Sequence, residues 1–378
     1  MRAEDLPEIS ERAGRLYRDA IVIDTHNDLA TKMLDEGYDP AVRHSPSEGH
    51  TDVPRLIESG ITAQVLAAWV DAPYAQRGAG AAFERALAYT DAIHALIDAC
   101  PDALRFAATG ADIRRAKADG VVAILIGVEG GHAIEDSLDH LRELKRRGAC
   151  YLTLTWNNGN HWAGSSIGSG ATRTAGLTPF GRQVIAELNR LGMLVDVSHT
   201  SSETLADVLA ASEAPVIASH SSARALADHP RNLSDEELRA IAARGGVICV
   251  NFYSRFIEVR MRDAMDAAEA RAEAEPAGTA AQRSARLEAL LARIPPTPLS
   301  ILIDHIDHIA RVAGIDHVGL GSDFDGIRLT PASLDDVTAY PRIAQALLDR
   351  GYSDDDVRKV LGANVLRLID TVVTAIPR

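Results

Sequence analysis

The sequence predicts a (β/α)8 barrel of the TIM type. Apolar, β-branched runs occur eight times along the chain, and most are continuous rather than alternating, as strands covered on both faces must be. Between them lie Ala-, Leu-, Arg- and Glu-rich stretches long enough for crossover helices. No GxGxxG follows any early run, which argues against a doubly wound dinucleotide-binding sheet. Eight such units in 378 residues match the size of the barrel fold.

The runs fall in order at 20–28, 61–70, 121–132 and 151–157, then at 193–199, 214–220, 246–253 and 317–325. Two spacers carry explicit helix signals. "TPFGRQVIAELNRLG" (178–192) sets Val184, Ile185, Leu188 and Leu191 on one helical face, with Gly192 where a C-cap belongs. "NLSDEELRAIAARGG" (232–246) offers Ser234 as N-cap and Glu237 three residues on, a capping box. The Ala/Arg/Glu-rich stretch 259–298 reads as one or two exposed helices inserted after the seventh strand, broken near Pro276–Gly278. It is too short for a domain of its own. One domain over residues 1–378 is expected.

A formal net charge of -14 argues against a nucleic-acid partner, which favours a basic surface. Cys100, Cys150 and Cys249 form no CxxC pair and are too few for a disulfide framework, so reduced, buried thiols are expected. The first twenty residues carry acids where a secretory signal needs a basic start and an apolar core. No stretch approaches the roughly 18 apolar residues of a membrane span, and the last residues carry no lipid-anchor signal. A cytoplasmic protein without a membrane partner is the expectation.

In such a barrel, chemistry sits where strands end, at the carboxyl-terminal face. The first run ends in His26 and Asp28, the third contributes Glu129, the fifth His199, the sixth His220 and the eighth Asp323. Strand side chains alternate between faces, which predicts His26 and Asp28 on one side. A lone buried histidine is more often a satisfied core residue than a ligand. Six ligand-type side chains at equivalent strand ends, from a chain with 13 histidines, are a site. Three imidazoles with two or three carboxylates suit zinc or a similar borderline divalent ion. One catalytic metal usually takes three protein ligands, so five candidates imply two metals sharing a bridging carboxylate and a hydroxide.

The segments "DTHNDL", "GVEGGH", "DVSH", "ASHSSAR", "HPRN" and "GSDFDG" resemble, in order and context, the membrane dipeptidase (renal dipeptidase) family, from about residue 15 to 370. The resemblance implies a soluble bacterial-type, zinc-dependent dipeptidase with two zinc ions, cleaving free-ended dipeptides with a metal-bridging hydroxide. A D-residue at the C-terminal position is compatible with it. It implies that His26 and Asp28 hold one zinc, His199 and His220 the other, and that Glu129 bridges. Asp323 corresponds to the acid/base, Arg231 of "HPRN" to the residue gripping the substrate carboxylate, and Tyr253 of "NFY" to a pocket residue.

The chain departs from the family pattern at Trp156, where members often carry a histidine after "LTLT" on the fourth strand. Tryptophan can donate one N–H and cannot ligate a metal. An indole there is expected to form a pocket wall, with His161 of the following loop either a partial substitute for the histidine or a loop residue in solvent. Asp325 is the alternative to Asp323 as the base, and His132 either orients Glu129 or packs. The residues leave open a hydrolase of another small amide or lactone, and a metal-binding barrel with weakened catalysis. Asp323 argues against the latter, since a metal store has no use for a positioned acid/base. The helical insert is expected to shape the pocket or a homodimer interface.

Overall fold

The computed structural model of the chain describes residues 8–168, 175–274 and 278–373. Among these described residues, nine parallel strands form one sheet: β1 (Ile23–Asn27), β2 (Ala63–Trp69), β3 (Leu104–Phe106), β4 (Val122–Glu129), β5 (Ala149–Thr153), β6 (Leu194–Asp196), β7 (Ile217–Ala218), β8 (Val247–Val250) and β9 (Val318–Leu320). Eight of them close into the barrel in the order β1, β2, β4, β5, β6, β7, β8, β9, with Asp24 pairing Leu320 to join the ends. Each apolar run of the sequence coincides with one of these eight, β5 starting two residues ahead of its run. The extra strand β3 pairs with Val122–Ile124, ahead of the span of β4 that β5 takes. Its three residues are too short a run to show as a strand in sequence.

Alternation along β4 sorts the two cores. Val122, Ile124, Ile126 and Val128 join the layer between strands and helices. Ala123 and Leu125 join the inner cluster, which includes Val65, Tyr151, Ile217 and Cys249 and is continued by Val365 and Leu368 of the helix Asn364–Val372. Glu129, in phase with Ala123 and Leu125, therefore faces the barrel axis at the strand's end.

The spacers behave as their signals require. The helix Pro179–Leu191 starts at Thr178 and stops at Gly192 in the left-handed conformation, burying Val184, Ile185 and Leu188. The helix Asp235–Ala243 carries the Ser234–Glu237 capping box. The insert forms two helices, Val259–Ala274 and Ala280–Leu291; Pro276 lies outside the described residues. Contrary to expectation, the insert is not simply exposed. Met261, Met265, Ala268 and Ala272 form a buried stripe on the first helix, and Leu291 joins the first three in a small cluster. Cys150 and Cys249 are buried, as expected, whereas Cys100 at a helix end is only half-buried. No helix among the described residues is long and apolar enough to cross a membrane.

Candidate active site

The five ligand-type residues converge at the carboxyl-terminal end of the barrel. His26 Nε2 lies 3.5 Å from Asp28 Oδ2 and 3.5 Å from Glu129 Oε2. The other Glu129 oxygen, Oε1, lies 2.9 Å from His199 Nε2 and 3.3 Å from His220 Nε2, and the two imidazole nitrogens are 3.0 Å apart. One carboxylate thus turns an oxygen toward each of two donor groups. Ligands about 2.0–2.1 Å from a tetrahedral metal stand roughly 3.3 Å from one another, which is the scale of these separations.

Alternation accounts for His26 and Asp28 sharing a side, but not for that side being the barrel axis. Register shifts between Asp24 and Asn27 where β1 pairs with β2, a bulge-type irregularity that re-aims His26 inward. Asp28 stands just past the strand, at the N-cap position of the helix Leu29–Asp35, with its side chain making no capping bond.

Hydrogen bonds fix the tautomers. The Tyr151 hydroxyl donates to the Thr25 carbonyl at 3.1 Å and lies 2.9 Å from His26 Nδ1, so it accepts from Nδ1–H and leaves the Nε2 lone pair facing the carboxylates. Tyr151 reaches there because Gly127 has no side chain; a Cβ would sit 2.0 Å from the tyrosine ring. The Ser219 hydroxyl donates to Asp196 Oδ2 at 2.7 Å and accepts from His220 Nδ1 at 2.7 Å, again freeing Nε2. Burial, with Arg231 nearby, pushes the His199 imidazole down to about 3. Burial and the neighbouring His26 hold His220 well below its ordinary value. Neutral imidazoles are the form that ligates metal.

The electrostatics call for a cation. Burial opposes charge on His26, yet Tyr151, Glu129 and Asp28 raise its proton affinity well above the usual value. Burial likewise opposes ionisation of Glu129, yet His26, His199 and His220 hold its carboxyl well below the usual range. His26 Nε2 is buried without a hydrogen-bond partner. Lone pairs and carboxylates crowded around one point are the donor set of a divalent ion.

Asp323 joins His26 and Asp28 in a second close group of potential ligand atoms. Its Oδ2 accepts from Asn251 Nδ2 at 2.8 Å. Burial pushes its carboxyl up to about 7; His26 and the Asn251 bond oppose the shift, and Asp28 and Glu129 add to it. A group near neutrality can both take and give a proton. Asp325 also lines the cavity, but its Oδ1 is held by the His50 N–H at 2.7 Å, and it is not part of either ligand group.

These residues open onto a cavity of about 310 Å3, at the small end of small-molecule sites. Arg231 lines it, 3% exposed, with Nη2 donating to the His220 carbonyl at 3.2 Å and with both Nε and Nη1 buried and without a partner among the described residues. Tyr253 and Trp156 also line it, Trp156 with its ring 6.5 Å from His199. Trp69, at the end of β2, packs edge-on to Trp156 at 5.0 Å, and its indole N–H is buried without a partner. His161 does not replace the family histidine. Its side chain is 90% exposed, paired with Asp136 at 2.7 Å, and it is not among the cavity-lining residues. His132 donates from Nε2 to the Val70 carbonyl, 2.9 Å away, and makes no hydrogen bond to Glu129.

Sequence reasoning missed four contributors. Trp69 closes the second apolar run and was within reach of the strand-end rule. Tyr151, Asp196 and Asn251 sit inside or just past runs, where nothing local marks a polar atom as a support for a ligand.

The chain matches the family model of membrane dipeptidase, peptidase family M19, over residues 10–376. It is similar to the probable dipeptidase PvdM from Pseudomonas aeruginosa, at 28% identity over 96% of this chain and 98% of that one, with a TM-score of 0.83. It is similar to the M19 metallopeptidase dipeptidase AC, at 27% identity over 94% and 99% of the chains, with a TM-score of 0.77. A metallopeptidase from Rhodobacter sphaeroides, bound to a phosphinate mimic of L-Ala-D-Ala, matches at 27% identity over 94% and 100%, with a TM-score of 0.75.

Proposed function

The chain belongs to the membrane dipeptidase family, a family of metallopeptidases, and from that premise we propose a zinc-dependent dipeptidase carried by a single barrel domain. His26 and Asp28 would hold one zinc ion, His199 and His220 a second, with one oxygen of Glu129 turned to each. Two zinc ions there would supply hydroxide near neutral pH and polarise the scissile carbonyl. Asp323 takes the proton of the attacking water and returns it to the departing amine. Arg231 receives the substrate's C-terminal carboxylate on Nε–H and Nη1–H. Trp156 and Tyr253 form walls for the substrate.

The observation that carries this reading is Arg231: a buried guanidinium with two N–H groups unpaired among the described residues, on one small cavity with the carboxylate and imidazole cluster of His26, Asp28, Glu129, His199 and His220. A lactone or an internal amide has no carboxylate to satisfy it; a free dipeptide does. The ligand of the Rhodobacter relative supports extending the reading to a D-residue at the C-terminal position. The test is turnover by metal-stripped protein titrated with zinc, on L,L- and L,D-dipeptides, dipeptide amides and small lactones. Free dipeptides should be preferred, with activity saturating at two zinc ions per chain. Better turnover of amides or lactones would overturn the assignment.

A further inference from the structure

Two walls of the cavity hang on one short segment. Tyr253 precedes the one-turn helix Ser254–Ile257, and that turn carries Phe256. The two rings meet edge to face at 4.8 Å, and the Phe256 ring lies 5.6 Å from the Arg231 guanidinium carbon. A single turn has no stability of its own, so its position is set by what holds it.

Arg255, between the two rings in sequence, reaches to the insert instead. Its Nη1 donates to Glu269 Oε1 at 2.7 Å and its Nη2 to Asp266 Oδ1. Residues three apart on a helix share a face, so the helix Val259–Ala274 presents both carboxylates together. The same hairpin packs Met261, Met265 and Leu291 into a cluster against which Tyr253 lies. Backbone groups of the turn are anchored to the barrel, with the Ser254 N–H on the Leu329 carbonyl at 3.0 Å, Asn232 Nδ2 on the Phe256 carbonyl and His305 Nε2 on the Ile257 carbonyl; the insert adds a polar and an apolar hold on its side chains and plays no part in the chemistry.

We propose that the insert hairpin is a positioning element for the substrate pocket, with Asp266 and Glu269 acting through Arg255 to hold the Tyr253–Phe256 wall. The proposal rests on the dipeptidase reading for the identity of the substrate alone. Exposed ion pairs are individually weak, so the grip is expected to tune binding rather than to decide folding.

The test uses the full-length, zinc-loaded chain carrying Asp266→Ala with Glu269→Ala. Amide hydrogen exchange at 253–257 should accelerate by about tenfold, reporting local loosening. KM for a small dipeptide should rise about 3–10-fold with kcat within about twofold and zinc content unchanged, as expected for lost ground-state positioning. Arg255→Met should reproduce the effect, and adding the two alanines to it should do little more. Unchanged exchange, unchanged KM despite faster exchange, or full additivity with Arg255→Met would each overturn the proposal. Should the wild-type chain fail on dipeptides, the dipeptidase reading falls, while accelerated exchange at 253–257 still upholds the grip and unchanged exchange still removes it.

Discussion

Arg231→Met should weaken catalysis and leave the fold as stable as before, or more so. In the wild-type chain, burial drags the guanidinium down to about 10, against the pull of Asp323 and Glu129. Two of its three nitrogens lack a hydrogen-bond partner. A buried charge without full pairing is a cost to folding, and replacing such groups with an apolar side chain is often neutral or stabilising. The incoming carboxylate offsets that cost, so its charge-assisted bonds contribute about 1.5–3 kcal/mol, or roughly 10–150-fold in kcat/KM. Converting the substrate's carboxylate to an amide removes the other half of the same contact and should cost a similar factor. The assay is kcat/KM for both proteins on a dipeptide and its amide, beside melting curves. Because each change deletes one side of one interaction, the losses should not add. Additive losses, or a lower melting temperature with undiminished discrimination against the amide, would make Arg231 a structural residue and refute the reasoning.

Asp323→Asn should retain zinc and lose about 10²–10⁴-fold in kcat, the scale of a general acid/base; a comparable loss from Asp325→Asn alone would move the role there. The same substitution has a pH signature in metal-stripped protein. The folded pKa of Asp323, about 7, lies above the unfolded carboxylate value near 3.9, so the folded state binds more protons between them and stability falls as pH rises through that window. An amide at this position cannot titrate, so the variant's advantage over wild type in chemical denaturation should grow from about pH 4 to pH 7 and then level off. Tyr151→Phe should keep the fold but free the His26 ring, lowering zinc affinity about 10–100-fold in chelator competition; unchanged affinity would mean that β1 alone orients the imidazole. Trp156→His should reorder kcat/KM across a dipeptide panel while zinc content holds, and an unchanged ranking with a marked fall in melting temperature would assign Trp156 to packing against Trp69.

Most of the barrel was legible because both-face burial makes each strand a continuous apolar run, and eight runs leave few topologies. What failed to show was short or long-range. Three residues sufficed for β3 because β4 was already there to pair with. The buried stripe Met261, Met265, Ala268 and Ala272 was hidden in a segment whose alanines and arginines read as solvent-exposed. The proposed metal ligands were legible for a different reason: each is a polar residue at the end of a greasy run. Their supports were not. Tyr151 looks like strand filling until Gly127, on the neighbouring strand, is seen to clear its path to His26. The meeting of His26 with Asp28 was anticipated from alternation, but the register shift in β1 that turns this pair toward the barrel axis was not.

Several departures from local rules gather at this end of the barrel. His199, Asp323 and Asp325 adopt φ of 68°, 64° and 66°, a region that non-glycine residues enter only at a cost of about 1–3 kcal/mol. Gly326 leaves no room for a side chain, since a Cβ would stand 2.2 Å from Asp28 Oδ2 and 2.8 Å from Asp323 Oδ1. His26 Nε2, His199 Nδ1, Trp69 Nε1 and two nitrogens of Arg231 are buried without partners, each a further cost. None of these stabilises the fold, and the barrel's extensive apolar core can bear them. Strain and unpaired polar atoms gathered in one cavity have a use only if other groups complete them: cations for the lone pairs, and a carboxylate for the guanidinium. A dipeptide bound beside two zinc ions would supply both, and a substrate lacking a free carboxylate would leave the guanidinium unanswered, which is the ground for the proposed preference.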